Sequence, residues 1–304
     1  MSRAVHYSSF GGPEVLDVVE VEEPHPGAGE VRVAVRAAGL NAFDFKARSS
    51  ASMMPLRPLP RGQGFEFAGI VDEIGADVAT FAIGDEVLGF TDFAAQADLV
   101  VVAANQLALK PGALDWATAA GIGLVGNTAM RSVDTVALSP GETVLVSAAA
   151  GGVGLIAGQL ALLAGATVIG TASAANHDFL RGLGVIPVAY GPGLARRLTD
   201  VAPQGIDAVL DNAGEETVLA ALELGISPAR INTIVYYDGA AKYGIATVGG
   251  GGKTAEQLSR LAELFASGAL VLPIAATYPL ADVRAAYEQL EGRHVLGKIV
   301  LLVP

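Results

Sequence analysis

Residues 144–158 read VLVSAAAGGVGLIAG and lie within residues 143–176, a run without one charged side chain. Two structures produce such a run. One is a membrane span, which needs about 20 consecutive apolar residues. The other is a strand, a helix and a second strand buried in a parallel sheet, each apolar because both faces are covered. Gly151, Gly152, Gly154, Gly158 and Gly165, with Gln159 among them, suit the second. The small residues also fall where a β-type run gives way to a helical one. The stretch predicts a soluble core unit with no membrane partner.

Set against the dinucleotide fingerprint G-x-G-x-x-G, the loop offers Ala149, Gly151 and Gly154 at the three special positions. The first position makes a tight turn, the second lets a pyrophosphate approach, and the third lets the helix pack on the strand. Ala150, Gly151, Gly152, Val153 and Gly154 are therefore candidate cofactor-binding residues. A helix starting near Gly152 would point its free N–H groups and positive dipole end at the phosphates. An Asp or Glu about twenty residues on would favour NAD by holding the adenosine ribose. Here VIGTASAANHDFLRG places Ser173 near that point, with His177 a turn later and no carboxylate before Asp178. That pair suits the 2′-phosphate of NADP(H). The alternative is that Ser173 only caps a helix and His177 is a surface residue.

The chain has 304 residues, 52% hydrophobic, with 38 glycines, no cysteine and a formal charge of −12. That length holds a sizeable core. The acidic balance argues against nucleic acid or anionic lipid as partner, since those need clustered Lys and Arg. Without cysteine there are no disulfides, no thiolate chemistry and none of the usual zinc cages. The four histidines, His6, His25, His177 and His294, show no ligand spacing, so no metal site is expected. The start, MSRAVHYSSFGGPEVL, has no signal-peptide core, which predicts a cytoplasmic protein.

The first hundred residues read as β-rich. EVRVAVRAAGL alternates as a half-buried strand does, and GIVDEIGADVATFAIGDEVLGF suits short antiparallel strands with tight turns. MMPLRPLPRG reads as a loop. After LALKPGALDWATAAGIG, apolar runs alternate with helical patterns: TVLVSA, TVIGTA, VIPVAY, DAVLDNA, ARINTIV and GIATVGG are the strand candidates. Such alternation predicts a doubly wound parallel sheet. TAEQLSRLAELFASG then reads as an amphipathic helix, and the tail as a helix, a glycine turn and a last strand. The expected division is a β-rich lobe from residues 1–112 and 251–304, with a Rossmann domain over 113–250.

FGGPEVL (10–16), GLNAFDFKARS (39–49), GFEFAGIVDEIGADVATFAIGDEVLG (64–89), AAAGGVG (148–154) and GKIVL (297–301) together resemble the zinc-independent quinone oxidoreductase branch of the medium-chain dehydrogenase/reductases. The resemblance spans nearly the whole chain. It implies an α/β fold in which the Rossmann sheet is inserted in a β-rich, GroES-like catalytic lobe, with the active site in the cleft and a homodimer as the assembly. It further implies that Asn41 lies on the nicotinamide side and that Thr128 in GNTA contacts the cofactor. Ser173, His177 and Tyr190 correspond to 2′-phosphate contacts, Asn212 and Ala213 face the nicotinamide ribose, and Lys298 in the returning GK completes the cofactor-binding set. Where zinc-dependent relatives carry GHE, this chain carries GFE, and LGVIPVAYGPG departs from the usual LGAD…IDY, which weakens Tyr190.

Without a metal to polarise an ordinary ketone, hydride transfer needs an acceptor that is already electrophilic, a small quinone or α,β-unsaturated carbonyl (enone). Related N-x-x-D-x-K reductases place NAFDFK beside the nicotinamide, which makes Lys46 the candidate donor to the developing oxyanion. The other reading of Lys46 is a solvated surface lysine. Asn41 and Asp44 complete the candidate catalytic set, with Asp44 orienting the loop. Tyr7, Tyr236, Tyr237 and Tyr243 are further possible donors. The competing functions are an NADPH-binding redox sensor or structural protein with little turnover, and an enoyl-thioester reductase.

Overall fold

The computed structural model describes residues 1–53, 58–248, 252 and 254–304. The chain forms two compact units, Met1–Leu124 with Gly252–Pro304, and Val125–Gly251.

The first unit is β-rich. Its strands from the N-terminal part are β1 (Ser2–Tyr7), β2 (Leu16–Val21), β3 (Glu30–Gly39), β4 (Arg61–Gly62), β5 (Glu66–Ile74), β6 (Glu86–Phe90), β7 (Leu99–Ala103) and β8 (Leu107–Leu109). Helices α1 (Ala42–Ser49) and α2 (Trp116–Gly121) lie among and after them. β3 shows why alternation predicted a strand: Val31, Val33 and Val35 are buried and the residues between them are half-buried. From Ala37 to Gly39 every residue is buried, because α2 covers the second face there. β5 and β6 form the antiparallel pair expected from GIVDEIGADVATFAIGDEVLGF. Of the proline-rich loop MMPLRPLPRG, residues 54–57 lie outside the described residues. Its last two residues are β4, which pairs with β1.

The second unit holds β9 (Thr143–Val146), β10 (Thr167–Thr171), β11 (Ile186–Val188), β12 (Ala208–Asp211), β13 (Ile231–Thr233) and β14 (Ala246–Thr247). Its helices are α3 (Gly123–Thr135, which begins two residues earlier than the unit), α4 (Gly152–Leu163), α5 (His177–Gly182), α6 (Leu194–Val201), α7 (Glu215–Glu223) and α8 (Tyr237–Tyr243). The sheet is parallel throughout, in the order β11-β10-β9-β12-β13-β14. The chain moves outward from β9 to β11, then returns to β12 on the other side of β9. That reversal is the topological switch point of a doubly wound sheet, and ligands bind beyond the strand ends there. The charge-free run is β9, α4 and β10. Val144, Leu145, Val146, Val168 and Ile169 are all buried, as are seven residues of α4. No helix among the described residues is long and apolar enough to cross a membrane. Of the strand candidate GIATVGG, residues 249 and 250 lie outside the described residues.

The chain ends in the first unit, with α9 (Ala255–Ala266), β15 (Ile274–Pro279), α10 (Val283–Glu291) and β16 (Lys298–Leu302). Leu258, Leu261, Ala262 and Phe265 form the buried stripe of α9. β16 pairs antiparallel with β3 and parallel with β15, so the N-terminal and C-terminal parts of the chain build one sheet, β15-β16-β3-β5-β6-β8 with β7 also paired to β3. The core beneath it joins Val33, Phe67, Val87, Ile299 and Leu301 with Val283 and Tyr287 of α10.

Candidate active site

In the second unit the loop after β9 is tied to both neighbouring strands. Ala149 N–H donates to the Thr171 carbonyl at 2.9 Å, and Ala148 N–H to the Thr171 hydroxyl at 3.2 Å. On the other side Ser147 N–H donates to Leu210 O at 3.0 Å. Ala148 adopts φ +47°, a left-handed conformation usually left to glycine. The alanine at the first fingerprint position has a local explanation. The Ala149 methyl lies against Gly170, where an added Cβ would come within 2.7 Å of it. The missing glycine of the loop is supplied by β10.

The two glycines kept in the fingerprint differ in what they are for. A Cβ on Gly154 would lie 2.3 Å from Ala148 O, so α4 could not pack on the loop. A Cβ on Gly151 would meet nothing nearer than that same oxygen, at 3.4 Å, and its φ of −82° suits any residue. Protein packing therefore does not demand glycine at 151, and a group approaching from outside would. Just beyond it the N–H groups of Gly152, Val153 and Gly154 open α4 without intrahelical acceptors, as at any helix start. These residues fit a pyrophosphate. Gly154→Ala should cost about 1–3 kcal/mol of stability. Gly151→Ala should leave thermal stability unchanged and weaken dinucleotide binding at least about tenfold, since the methyl stands where close approach is needed. Calorimetric melting and NADPH titration of the two variants read the two effects separately; equal loss of binding without loss of stability in both would refute the distinction.

The strand ends beside this loop carry the other candidates. Register pairs Thr171 with Val188, so Ser173 and Tyr190 each follow their strand by two residues at the same level. The Ser173 hydroxyl accepts a long bond from Asn176 Nδ2 at 3.4 Å, which leaves its hydrogen free to donate. His177 Nε2 lies 3.2 Å from Ala172 O; a carbonyl only accepts, so Nε2 carries the hydrogen. Tyr190 is half exposed. Asn212 and Ala213 follow β12, and Asn212 Nδ2 donates to Ser147 O at 2.9 Å, turning its own Oδ1 outward as an available acceptor. Thr128 is a half-buried residue of α3. Two tyrosines of this unit are bonded locally: Tyr236 to Glu215 and Tyr237 to Ile234 O.

Sequence reasoning named Asn212 and Ala213 but missed the residue that holds them. Asp211 is fully buried at the end of β12. Its Oδ1 accepts from the Ser147 hydroxyl at 2.8 Å and from the N–H groups of Ala213 and Gly214 at 3.0 and 2.9 Å. Its Oδ2 accepts from the Thr233 hydroxyl at 2.7 Å. Ser147 in turn accepts from Asn212 N–H at 2.7 Å. One carboxylate thus joins the ends of β9, β12 and β13. The signal was in the sequence: an acid inside the apolar strand DAVLDNA must have partners to be buried.

In the first unit, Asn41 precedes α1 and its N–H donates to Asp44 Oδ2 at 2.7 Å, which fixes the start of that helix. Asp44 is fully buried and also accepts from the Tyr287 hydroxyl at 2.9 Å, which takes a bond from Gln96 at 2.7 Å. Burial pushes the Asp44 carboxyl up to about 7, against the lowering effects of the Asn41 N–H, Lys298 and Tyr287. An unfolded Asp titrates near 4. Its contribution therefore favours the folded state below about pH 4 and is lost as pH rises through 7. Asp44→Asn keeps the acceptor without the charge. Its stability relative to wild type should rise by about 2–3 kcal/mol from pH 5 to pH 8; denaturant unfolding at the two pH values checks this, and a constant difference would refute it.

Lys46 projects from the exposed side of α1 and forms no ion pair among the described residues. Crowding by neighbouring protein, and then Arg293, lower its pKa below that of an ordinary lysine, which makes it a readier proton donor. Lys298, which the resemblance counts among the cofactor-binding residues, is bonded within the first unit. Its ammonium is buried and bonded to Leu40 O, Asn41 Oδ1 and Glu66 Oε1. Glu66, like Asp211, was not singled out from the sequence. It follows Phe65, the residue that stands where zinc-dependent relatives carry histidine, and Phe65 packs edge-on against Phe43 and Phe93 at 5.2 and 4.5 Å. Among the described residues no group of three or more His, Asp or Glu side chains is placed to hold a metal ion.

The parallel sheet with its glycine loop and the β-rich unit built from both chain ends define a dehydrogenase/reductase of the medium-chain class. Residues 27–137 match the alcohol dehydrogenase GroES-like domain, and residues 185–301 match the family described as zinc-binding dehydrogenase. A quinone oxidoreductase of Pseudomonas aeruginosa is 32% identical over 327 residues, covering 99% of this chain and 100% of that protein. Among solved structures, the quinone oxidoreductase of Coxiella burnetii superposes with a TM-score of 0.90 at 28% identity, covering 100% of this chain and 99% of that one. The Escherichia coli quinone oxidoreductase complexed with NADPH gives 0.85 at 28% identity, covering 99% of each chain. The chain belongs to the quinone oxidoreductase branch of the medium-chain dehydrogenase/reductases.

Proposed function

We propose that the protein is an NADPH-dependent, metal-free oxidoreductase that reduces small quinones or α,β-unsaturated carbonyls. The observation that carries this reading is Gly151, bare of a side chain where the fold itself leaves room for one, at the start of a helix facing the switch point. In this reading the loop 150–154 holds the pyrophosphate, Thr128 contacts the cofactor, and Asn212 and Ala213 face the nicotinamide ribose. Ser173, His177 and Tyr190 receive the 2′-phosphate. When bound, NADPH supplies the hydride. Asn41 steadies the nicotinamide side, Asp44 holds the helix start that presents it, and Lys46 brings a proton to the oxygen on which negative charge develops. Likeness to an NADPH-bound relative supports the cofactor, and the hydroxyl at 173 in place of an acid supports its phosphate.

The test is steady-state NADPH oxidation with a panel of quinones, enones and unactivated ketones, before and after prolonged chelation. Turnover of the first two, negligible reduction of the third and no effect of chelation are expected. Tight NADPH binding with no turnover of any acceptor would replace the enzyme reading by a cofactor-binding sensor. Ser173→Asp should weaken NADPH binding at least about tenfold by repulsion of the 2′-phosphate while sparing NADH; a wild-type preference for NADH in kcat/KM would overturn the assignment.

A further inference from the structure

Lys298, Glu66 and Asn41 come from three distant parts of the chain and close a buried cluster. Lys298 Nζ donates to Asn41 Oδ1 at 2.6 Å and to Glu66 Oε1 at 2.7 Å, and to the Leu40 carbonyl. An ammonium has three hydrogens, and all three are used. Its side chain is 4% exposed and that of Glu66 1%. Glu66 Oε1 also accepts from Asn41 Nδ2 at 2.8 Å, and Oε2 from Leu124 N–H at 2.7 Å. The fold makes room for this carboxylate: a Cβ on Gly39 would lie 2.6 Å from Glu66 Oε1 and 2.5 Å from Ala120 O.

These contacts settle which way the Asn41 amide faces. Its oxygen faces the ammonium and one amide hydrogen faces the carboxylate, so the second amide hydrogen is what Asn41 has left to offer. We propose that Lys298 is a positioning residue that, with Glu66, orients Asn41 as a hydrogen-bond donor toward the nicotinamide side, and that it does not itself hold the cofactor. The placement of Asn41 beside the nicotinamide rests on the function proposed above; the orientation of its amide does not. A buried ion pair is weak as a stabilising device, since two well-packed apolar residues often serve as well. What this one supplies is a fixed orientation. A ligand reaching Lys298 would first have to displace one of three short charge-assisted bonds.

The test compares wild type, Lys298→Met with Glu66→Leu (which removes both charges and the carboxylate acceptor together), Asn41→Ala, and all three changes combined. Removing the pair should lower kcat with a quinone about tenfold, less than the 10²–10³ lost with a direct oxyanion donor, and leave the NADPH Kd within about threefold. Adding it to Asn41→Ala should cost nothing further. A tenfold weaker NADPH Kd with kcat retained would make Lys298 a cofactor ligand, and multiplying losses would make it independent of Asn41. Unchanged kcat with only a lower melting temperature would make the pair purely structural. Side-chain amide NMR gives a reading that needs no turnover. The Asn41 amide hydrogen bonded to Glu66 should exchange slowly in wild type and lose that protection when the pair is removed; retained protection would overturn the proposal. Inactivity of the wild type toward every acceptor would instead defeat the functional reading and leave NMR to judge the orientation. Should the paired variant fail to fold, Lys298→Arg takes its place, because a planar guanidinium cannot meet three acceptors gathered around one point. It should show the same split between kcat and Kd.

Discussion

Asp211→Ala should destabilise the Val125–Gly251 unit by about 3–5 kcal/mol, because the Ser147 and Thr233 hydroxyls and two backbone N–H groups lose their common acceptor inside the protein. Each buried donor left unmade costs about 1–3 kcal/mol, and the losses overlap because Ser147 can still serve Asn212 and Ala213. Asp211→Asn should fall between Ala and wild type. It keeps an acceptor for the Oδ1 cluster and turns an N–H₂ group toward Thr233, whose hydroxyl already accepts from Val235 and Tyr236 N–H. Denaturant unfolding of the two variants measures this directly. A loss below about 1 kcal/mol for alanine would mean that water replaces the carboxylate, and the hub assignment would fall. Weaker NADPH binding should accompany the instability, since Asn212 and Ala213 take their position from this carboxylate.

The largest expected effect on the chemistry is at Lys46. Lys46→Met keeps the apolar stem and removes the ammonium. It should lower kcat with an enone by one to two orders of magnitude, within the roughly 2.7–4 kcal/mol that a strong oxyanion donor provides. NADPH affinity should change little, because the residue is not assigned to the cofactor. Quinones should suffer less, since their carbonyls need less polarisation to accept hydride. Parallel kcat and NADPH Kd measurements on both acceptors decide it. Equal enone turnover by wild type and variant would make Lys46 a solvated surface lysine and leave Asn41 as the donor nearest the start of α1.

The two readings of the charge-free run differ by one fact that local sequence already contained. A parallel strand, a helix and a second strand are each short, and glycines interrupt them at the turns. Gly154 and Gly151 were both legible as loop glycines, yet their roles separate only in three dimensions, where Ala148 O blocks one and leaves room at the other. Ala149 could be read only as a tolerated substitute until β10 was seen to supply Gly170 beneath it. Lys298 was legible as part of GKIVL, and its expected role on the cofactor came from resemblance. No pattern in the chain says that residues 41, 66 and 298 meet.

What the sequence determined by itself was therefore the class of element at each place and the order of elements. Periodicity, glycine placement and the absence of charge act over a few residues, and backbone sterics and burial translate them directly into strand, turn and helix. What only the tertiary structure decided was the fate of the buried charges Asp44, Glu66, Asp211 and Lys298. A charge leaves water only when partners replace its hydration. Those partners lie 64 residues away for Asp211 with Ser147 and 232 for Glu66 with Lys298, brought together when β9 pairs with β12 and β16 returns to β3.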